Sequence, residues 1–285
     1  MSTTITIILS PYHVGIKNHR VGDGPNRILQ QGVFRELESL NVKVQIKEIE
    51  SVESFEGEIG RSFEILRRIS TAVTTARNSN SFPLILSGNC MATAGVAAVI
   101  GLPDPGFIYF DAQDDLETPS TNTNGYLDAM GMSMASGLSW HALAKTIPGH
   151  LYIGLRDVAD GQRKFVQESK IDVIGGDSEH KVDYLKKLKT NLARKVYSPA
   201  VIHLDLDVLD ESLGKVNGYE SPGGLLEHEL VDSLGLVPLE AAPVSLTVCS
   251  FDLNLGDGDK IAKIGVRAIV SFVTSLIKSG TLLVS

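Results

Sequence analysis

Gly106-Phe-Ile-Tyr-Phe-Asp-Ala-Gln-Asp-Asp-Leu-Glu-Thr-Pro119 is the stretch on which the fold turns. Its first half, Phe107 to Phe110, is a run of aromatic and β-branched residues, the pattern of a strand buried on both faces of a parallel sheet. Asp111, Asp114, Asp115 and Glu117 follow at once. In an open α/β sheet ligands bind beyond the carboxyl ends of the strands, so this acidic cluster falls where chemistry is expected. A second such place lies downstream, where the apolar run Ala200 to Leu204, interrupted only by His203, leads into Asp205-Leu-Asp207. Period-two geometry predicts Asp205 and Asp207 on one face of that strand.

The remaining chain reads as strands alternating with helices. Strands are predicted over 4–9, 42–49, 82–86, 151–155, 171–174 and 244–248, and helices over 24–40, 55–77, 91–100, 182–195 and 261–276. Pro25 suits a first helical turn. Lys186, Lys187, Lys189, Arg194 and Lys195 are read as a solvated helix face. No linker rich in Pro, Gly or Ser separates two units, so residues 1–285 are expected to form one three-layer α/β/α domain with a mostly parallel central sheet. The loop holding His13 and His19 reads as solvated, and 119–127 as a polar loop rich in Thr, Asn and Gly.

Composition narrows the function classes. The chain is 43% hydrophobic and 21% charged, an ordinary globular balance, with a net charge of −8 that argues against nucleic acid or an anionic membrane as partner. No apolar run reaches the ~18 residues of a membrane span, and the N-terminus does not read as a signal peptide. Two cysteines, Cys90 and Cys249, are too few for a disulfide framework, so a reducing, cytoplasmic setting is expected.

Asp111-Ala-Gln-Asp-Asp115 resembles the Asp-Ala-His-x-Asp motif of the ureohydrolases, the family of arginase and agmatinase, and His203-Leu-Asp205-Leu-Asp207-Val-Leu-Asp210 resembles their Ser-x-Asp-x-Asp-x-x-Asp motif. Ser87-Gly-Asn-Cys90 sits where the family carries Gly-Gly-Asp-His, and an Asn-Cys form like this one occurs in members that act on modified guanidines. Tyr152-Ile-Gly-Leu-Arg156-Asp-Val and Ser221-Pro-Gly-Gly-Leu225 are also family-like. In the family two manganese ions bridge a hydroxide that attacks a guanidino carbon. Here both metal-binding histidines are replaced, by Cys90 and Gln113.

The resemblance implies Asp111, Gln113, Asp115, Asp205, Asp207 and Cys90 as the metal-binding set. One weakly held divalent cation (Mn, Mg or Zn), or none, is expected, because a carboxamide suits a hard ion and a thiolate a soft one. It also implies Glu117, Asn122, Asn124 and Asp252 as substrate contacts, and Asp128 in the place of the arginase proton-shuttling His. A contact Asp of the family is Ala159 here, and Asp252 stands for a longer Glu. The expected function is a divergent hydrolase of a non-peptide C–N bond in an amidine, guanidine or similar polar nitrogen compound, distinct from ordinary arginase or agmatinase. Asp115, Asp128 and Cys90 are its candidate catalytic residues. Two alternatives stay open. One is metal-free chemistry with Cys90 as nucleophile beside Asp residues sharing a proton. The other is a non-catalytic member that binds a ligand or partner. A small-molecule substrate and a homo-oligomer are the implied partners. Cys249 is read as a core thiol.

Overall fold

The computed structural model describes residues 1–53, 57–101, 105–123, 125–135, 149–158, 160–169, 171–177, 179–180 and 182–284. In chain order the elements are β1 (Thr4–Ser10), the two-stranded hairpin β2 (Tyr12–His13) and β3 (Ile16–Lys17), α1 (Gly24–Gln30), α2 (Val33–Ser39), β4 (Lys43–Glu48), α3 (Gly57–Asn78) and β5 (Ser81–Ser87). There follow α4 (Ala92–Ala97), β6 (Gly106–Phe110), α5 (Gly131–Ala135), β7 (His150–Ile153), α6 (Asp160–Glu168), β8 (Asp172–Ile174) and α7 (Tyr184–Leu192). The chain closes with β9 (Ala200–Asp205), α8 (Glu227–Glu240), β10 (Pro243–Cys249) and α9 (Gly258–Lys278).

Eight strands form one sheet in the order β4-β1-β5-β10-β9-β6-β7-β8, with every neighbouring pair parallel. The strand interiors are apolar on both faces because helices cover both. Ile108, Phe110, Ile202 and Leu204 pack in one cluster with buried side chains of α1, α7, α8 and α9. Phe107, Tyr109 and Val201 point the other way, into a cluster with α3 and α4. Ile65, Leu66, Ile69, Ala72, Val73 and Ala76 are the buried stripe of α3, at the three-and-four spacing of a helix lying on a sheet. The edge strand β4 carries Lys43, Gln45, Lys47 and Glu48, polar groups that discourage pairing with another chain. No described helix is long and apolar enough to cross a membrane.

The three-layer expectation holds, with local differences. The helix expected over 24–40 is two helices, because Gly32 takes φ +96° and turns the chain between them. Helices α6 and α8 fall where the sequence pattern predicts no element. In α8 the Leu226 amide donates to Glu229 Oε2 at 2.8 Å, an N-terminal closure that begins without a Ser, Thr, Asp or Asn signal. The basic residues of α7 face solvent while Tyr184, Leu188 and Leu192 are buried, as expected.

Candidate active site

The carboxyl ends of four adjacent strands, β5, β10, β9 and β6, meet above the middle of the sheet. Asp111 follows β6 directly, and its Oδ1 accepts the Gln113 amide at 2.7 Å. Asp205 ends β9, and its Oδ1 accepts the Asp207 amide at 2.8 Å. The chain turns there into a short 3-10 helix, Leu206–Val208, so this turn brings Asp207 beside Asp205 and the strand alternation expected from the sequence does not. Asp111, Asp205 and Asp207 each place one carboxylate oxygen within 4.8 Å of the others. Asp115 adopts φ +51° and accepts the Tyr109 hydroxyl on Oδ2 at 2.8 Å. Asn217 Nδ2 donates to Asp207 Oδ2 at 2.7 Å. The four aspartates therefore converge.

All four are buried. Burial, and then the charges of their neighbours, push Asp111 and Asp205 well above the usual carboxylate range. Asp115 is pushed well up by burial, against the Tyr109 hydrogen bond. Asp207 rises too, because burial outweighs its bonds to Asn217 and the nearby Arg156 charge. Without a cation such a group keeps protons rather than charge. Arg156 stands behind it, where it donates to the carbonyls of Gly154, Asp207, Val208, Leu209 and Ser221. Arg156 thus ties together the three loops that border the carboxylates, a role the sequence did not disclose.

The β5 and β10 side of the cluster is sulfur. The Cys90 thiol donates to Asp205 Oδ2 at 2.8 Å, with Ser250 Oγ also at 2.8 Å. Cys249 Sγ lies 3.7 Å from Cys90 Sγ and 3.5 Å from His203 Nε2. Cys249 is therefore a wall of the cluster as well as a core thiol. His203, two residues before Asp205, occupies a strand position and is fully buried beside this cluster, a role its place in the apolar run does not signal. Its ring stacks on Tyr109 at 3.8 Å between centroids and 5° between planes. Burial holds this imidazole down to about 3, so its 3.7 Å approach to Asp111 Oδ2 is that of a neutral ring.

The thiol-nucleophile alternative loses its footing here. The Cys249 thiol, burial and the Asp205 carboxylate all push Cys90 well up, and burial takes Cys249 up to about 12. Helix α4, which starts just after Cys90, is only six residues long and offers little dipole to offset this. The thiolate needed for attack is thus disfavoured at its own site.

A cavity of about 160 Å³ opens over the cluster. Among the described residues its wall includes Asp114, Asp115, Glu117, Asp128, Asp157, Asp205 and Asp207 against one guanidinium, that of Arg20, which bonds the Tyr126 hydroxyl at 2.8 Å. Burial lifts Asp114 to about 6. His13 also lines the cavity and is buried, which corrects its reading as a solvated loop residue, while His19 is exposed as expected. Close packing of the hairpin explains the difference: a Cβ at Gly88 would fall 2.3 Å from the Tyr12 carbonyl oxygen, so only glycine lets β2 approach. His13 Nδ1 lies 3.5 Å from Asp128 Oδ2 and 3.3 Å from Asn89 Nδ2. Asp128 Oδ1 is buried and makes no hydrogen bond among the described residues.

The expected substrate contacts divide. Glu117 faces the cavity, and its Oε2 is buried without a hydrogen bond among the described residues. Asn122 instead braces its own loop, Nδ2 donating to the Tyr126 carbonyl at 2.8 Å and Oδ1 accepting the Gly125 amide at 2.7 Å. Asp252 accepts both the amide and side-chain nitrogen of Asn254, at 3.0 and 3.1 Å, and Ser250 lines the cavity in its neighbourhood. Gln113 lines the cavity, with Nε2 3.4 Å from both Asp157 Oδ2 and the Tyr219 carbonyl. Asn124 and Ala159 lie outside the described residues.

Comparison with known proteins places this arrangement. The model of the arginase family matches residues 3–272. An arginase of Bacillus caldovelox is 26% identical over 294 residues, which cover 94% of this chain and 97% of that one. An N(omega)-hydroxy-L-arginine amidinohydrolase of Streptomyces lavendulae is 25% identical over 181 residues, 62% of this chain and 63% of its own. The crystal structure of Bacillus subtilis arginase superposes with a TM-score of 0.84 at 22% identity, covering 95% of this chain and 98% of that one.

Proposed function

The chain belongs to the arginase family and is a hydrolase of C–N bonds other than peptide bonds; from that premise we propose that it acts on a small cationic amidine or guanidine-like compound other than free arginine or agmatine. The observation that carries this reading is the charge of the cavity. Among the described residues Asp114, Glu117, Asp128 and Asp157, apart from the proton-keeping cluster, outnumber the guanidinium of Arg20 around a space of about 160 Å³, a setting that attracts a compact nitrogen cation and repels an anion.

The family's pair of manganese ions does not fit this donor set. Cys90 and Gln113 stand where each ion would take an imidazole, and Cys90 spends its thiol proton on Asp205. The Gln113 amide nitrogen is turned to Asp157 and Tyr219. The Cys90 sulfur is a soft donor that favours zinc over manganese, so the first ion's place no longer selects manganese. No step of the proposed reaction runs through that pair.

The chain's own groups supply binding and proton movement. The amidinium seats against Glu117 and Asp115, whose acidic oxygens pair with its N–H groups. Asp128 takes a proton from the attacking water with Oδ1, the oxygen left unbonded, while His13 steadies Oδ2. Water adds to the amidinium carbon, and the same proton returns from Asp128 to the departing nitrogen. The C–N bond then breaks, and an amine or ammonia leaves.

The test is a panel of small guanidines, amidines and hydroxyguanidines assayed for ammonia, amine or urea release. Turnover of one of them with inert arginine and agmatine is the expected outcome. Urea release from free arginine or agmatine at ordinary ureohydrolase rates refutes the substrate assignment.

A further inference from the structure

We propose that Cys90, Cys249, His203 and Asp205 form a mononuclear zinc site beneath the cavity, distinct in ligands from the family's manganese cluster. Each of the four offers one ligand atom, and these atoms all lie within 4.8 Å of one another. Their exposures are 4%, 1%, 0% and 2%.

The spacing is that of a tetrahedron around zinc. Zn–S bonds of ~2.3 Å and Zn–N bonds of ~2.0–2.1 Å give tetrahedral edges of roughly 3.8 Å between two sulfurs and roughly 3.5 Å between sulfur and nitrogen. The observed separations are 3.7 Å for Cys90 Sγ to Cys249 Sγ and 3.5 Å for Cys249 Sγ to His203 Nε2. The Cys90–Asp205 edge, 2.8 Å, is short, because a thiol proton bridges it. Zinc takes the place of that proton, and the edge opens by roughly 0.7 Å to the length that ~2.3 and ~2.0 Å bonds require.

Three further features point to a built site. Cys249, His203 and Asp205 sit on the paired strands β10 and β9, and Cys90 on the turn leaving β5, so strand pairing fixes the ligand backbone. His203 is oriented from behind: Nδ1 meets Thr93 Oγ1 at 2.7 Å and the ring lies flat on Tyr109, which turns Nε2 toward the sulfurs. Asp111 Oδ2, buried and without a hydrogen bond among the described residues, lies 3.7 Å from His203 Nε2, an unpaired acceptor beside the ion's place. Two sulfurs, one imidazole and one carboxylate select zinc over manganese or magnesium. Cys90 and Asp205 line the cavity, so an ion enters from there. Binding releases the two thiol protons to solvent and leaves the sulfurs as thiolates on the metal. With four protein ligands and no place for water, the ion is structural, and the inference stands whether or not the proposed substrate class is right.

The experiment uses the full chain purified without chelator from zinc-replete medium. Elemental analysis is expected to give one zinc and no manganese per chain. Exchange for Co²⁺ is expected to give the intense visible bands of a tetrahedral site and a near-ultraviolet thiolate-to-cobalt band, reduced by about half in Cys249→Ser. That variant should bind zinc at least ~10–100-fold more weakly. Because Cys249→Ser could fail to fold, the wild type is also titrated with an organomercurial, two equivalents of which should release the zinc to a chromogenic chelator. A weak six-coordinate cobalt spectrum, a Cys90–Cys249 disulfide in the native protein, or zinc that survives full mercuration overturns the site.

Discussion

Arg156→Met tests whether one guanidinium holds the loops of the cavity floor. Arg156 is part-buried, and its nitrogens donate at 2.8 Å to the Asp207 carbonyl, 2.9 Å to Gly154, 3.1 Å to Leu209 and Ser221, and 3.3 Å to Val208. Methionine keeps much of the stem's packing and removes every donor. A net ~1 kcal/mol for each carbonyl that water cannot reach, with the two weakest discounted, gives a loss of about 3–5 kcal/mol. For a chain of this size that is a drop in Tm of roughly 10 °C, at ~2–4 °C per kcal/mol. Urea denaturation followed by circular dichroism measures it. Arg156→Lys should recover less than half, because an ammonium on a flexible stem cannot reach carbonyls on three loops at once. A Met variant within about 0.5 kcal/mol of the parent, the usual range of an inconsequential surface change, would falsify the clamp.

Other outcomes follow from the same geometry. Asp128→Asn should lower turnover of a responsive substrate by at least ~10²-fold while leaving the melting temperature unchanged; an equal rate would reduce Asp128 to a loop residue. Cys90→His with Gln113→His restores an imidazole at each family position and should raise manganese content above the parent's; equal content in both proteins speaks against the carboxylates acting as a scaffold. His150 is held by burial to about 4, below its ordinary 6.5. Its neutral form is the one the fold accepts, so its contribution is present above pH ~6.5 and is lost as pH falls from there toward 4. The stability difference between wild type and His150→Asn should therefore shrink with acid over that window in pH-stepped denaturation; a constant difference removes His150 from the titration.

The sheet was legible because its strands are apolar runs of the right length ending in carboxylates, and Asp111, Asp115, Asp205 and Asp207 do converge. What escaped lies where the signal is tertiary. His203 and Cys249 have no spacing in sequence that links them to Cys90, and pairing of β9 with β10 brings them together. His13 carries no local sign of burial, which depends on the hairpin's approach to Gly88. Asn122 and Asp252 sat at the expected positions with their polar atoms already engaged by neighbours, and side-chain commitment of that kind is invisible to position alone. Asp207 reached its place through a 3-10 turn that strand periodicity does not anticipate.

The place of β10 in the sheet bears on how the molecule is made. β10 pairs with β5 on one side, Leu246 beside Leu84, and with β9 on the other, yet it is the last strand in the chain. A nascent polypeptide that has reached Ala242 has two apolar half-sheets with no strand to join them. The contact between Cys90 and Ser250 closes a separation of 160 residues, a non-local step that is slow to find. During translation the open edges of β5 and β9 are the surfaces most exposed to mispairing. The same wiring keeps Cys90 apart from His203 and the carboxylates, which β6 and β9 bring together on their own, until the C-terminal segment emerges. No partly synthesised chain carries a working pocket, and a protein cut before β10 should be an insoluble fragment rather than a weaker enzyme.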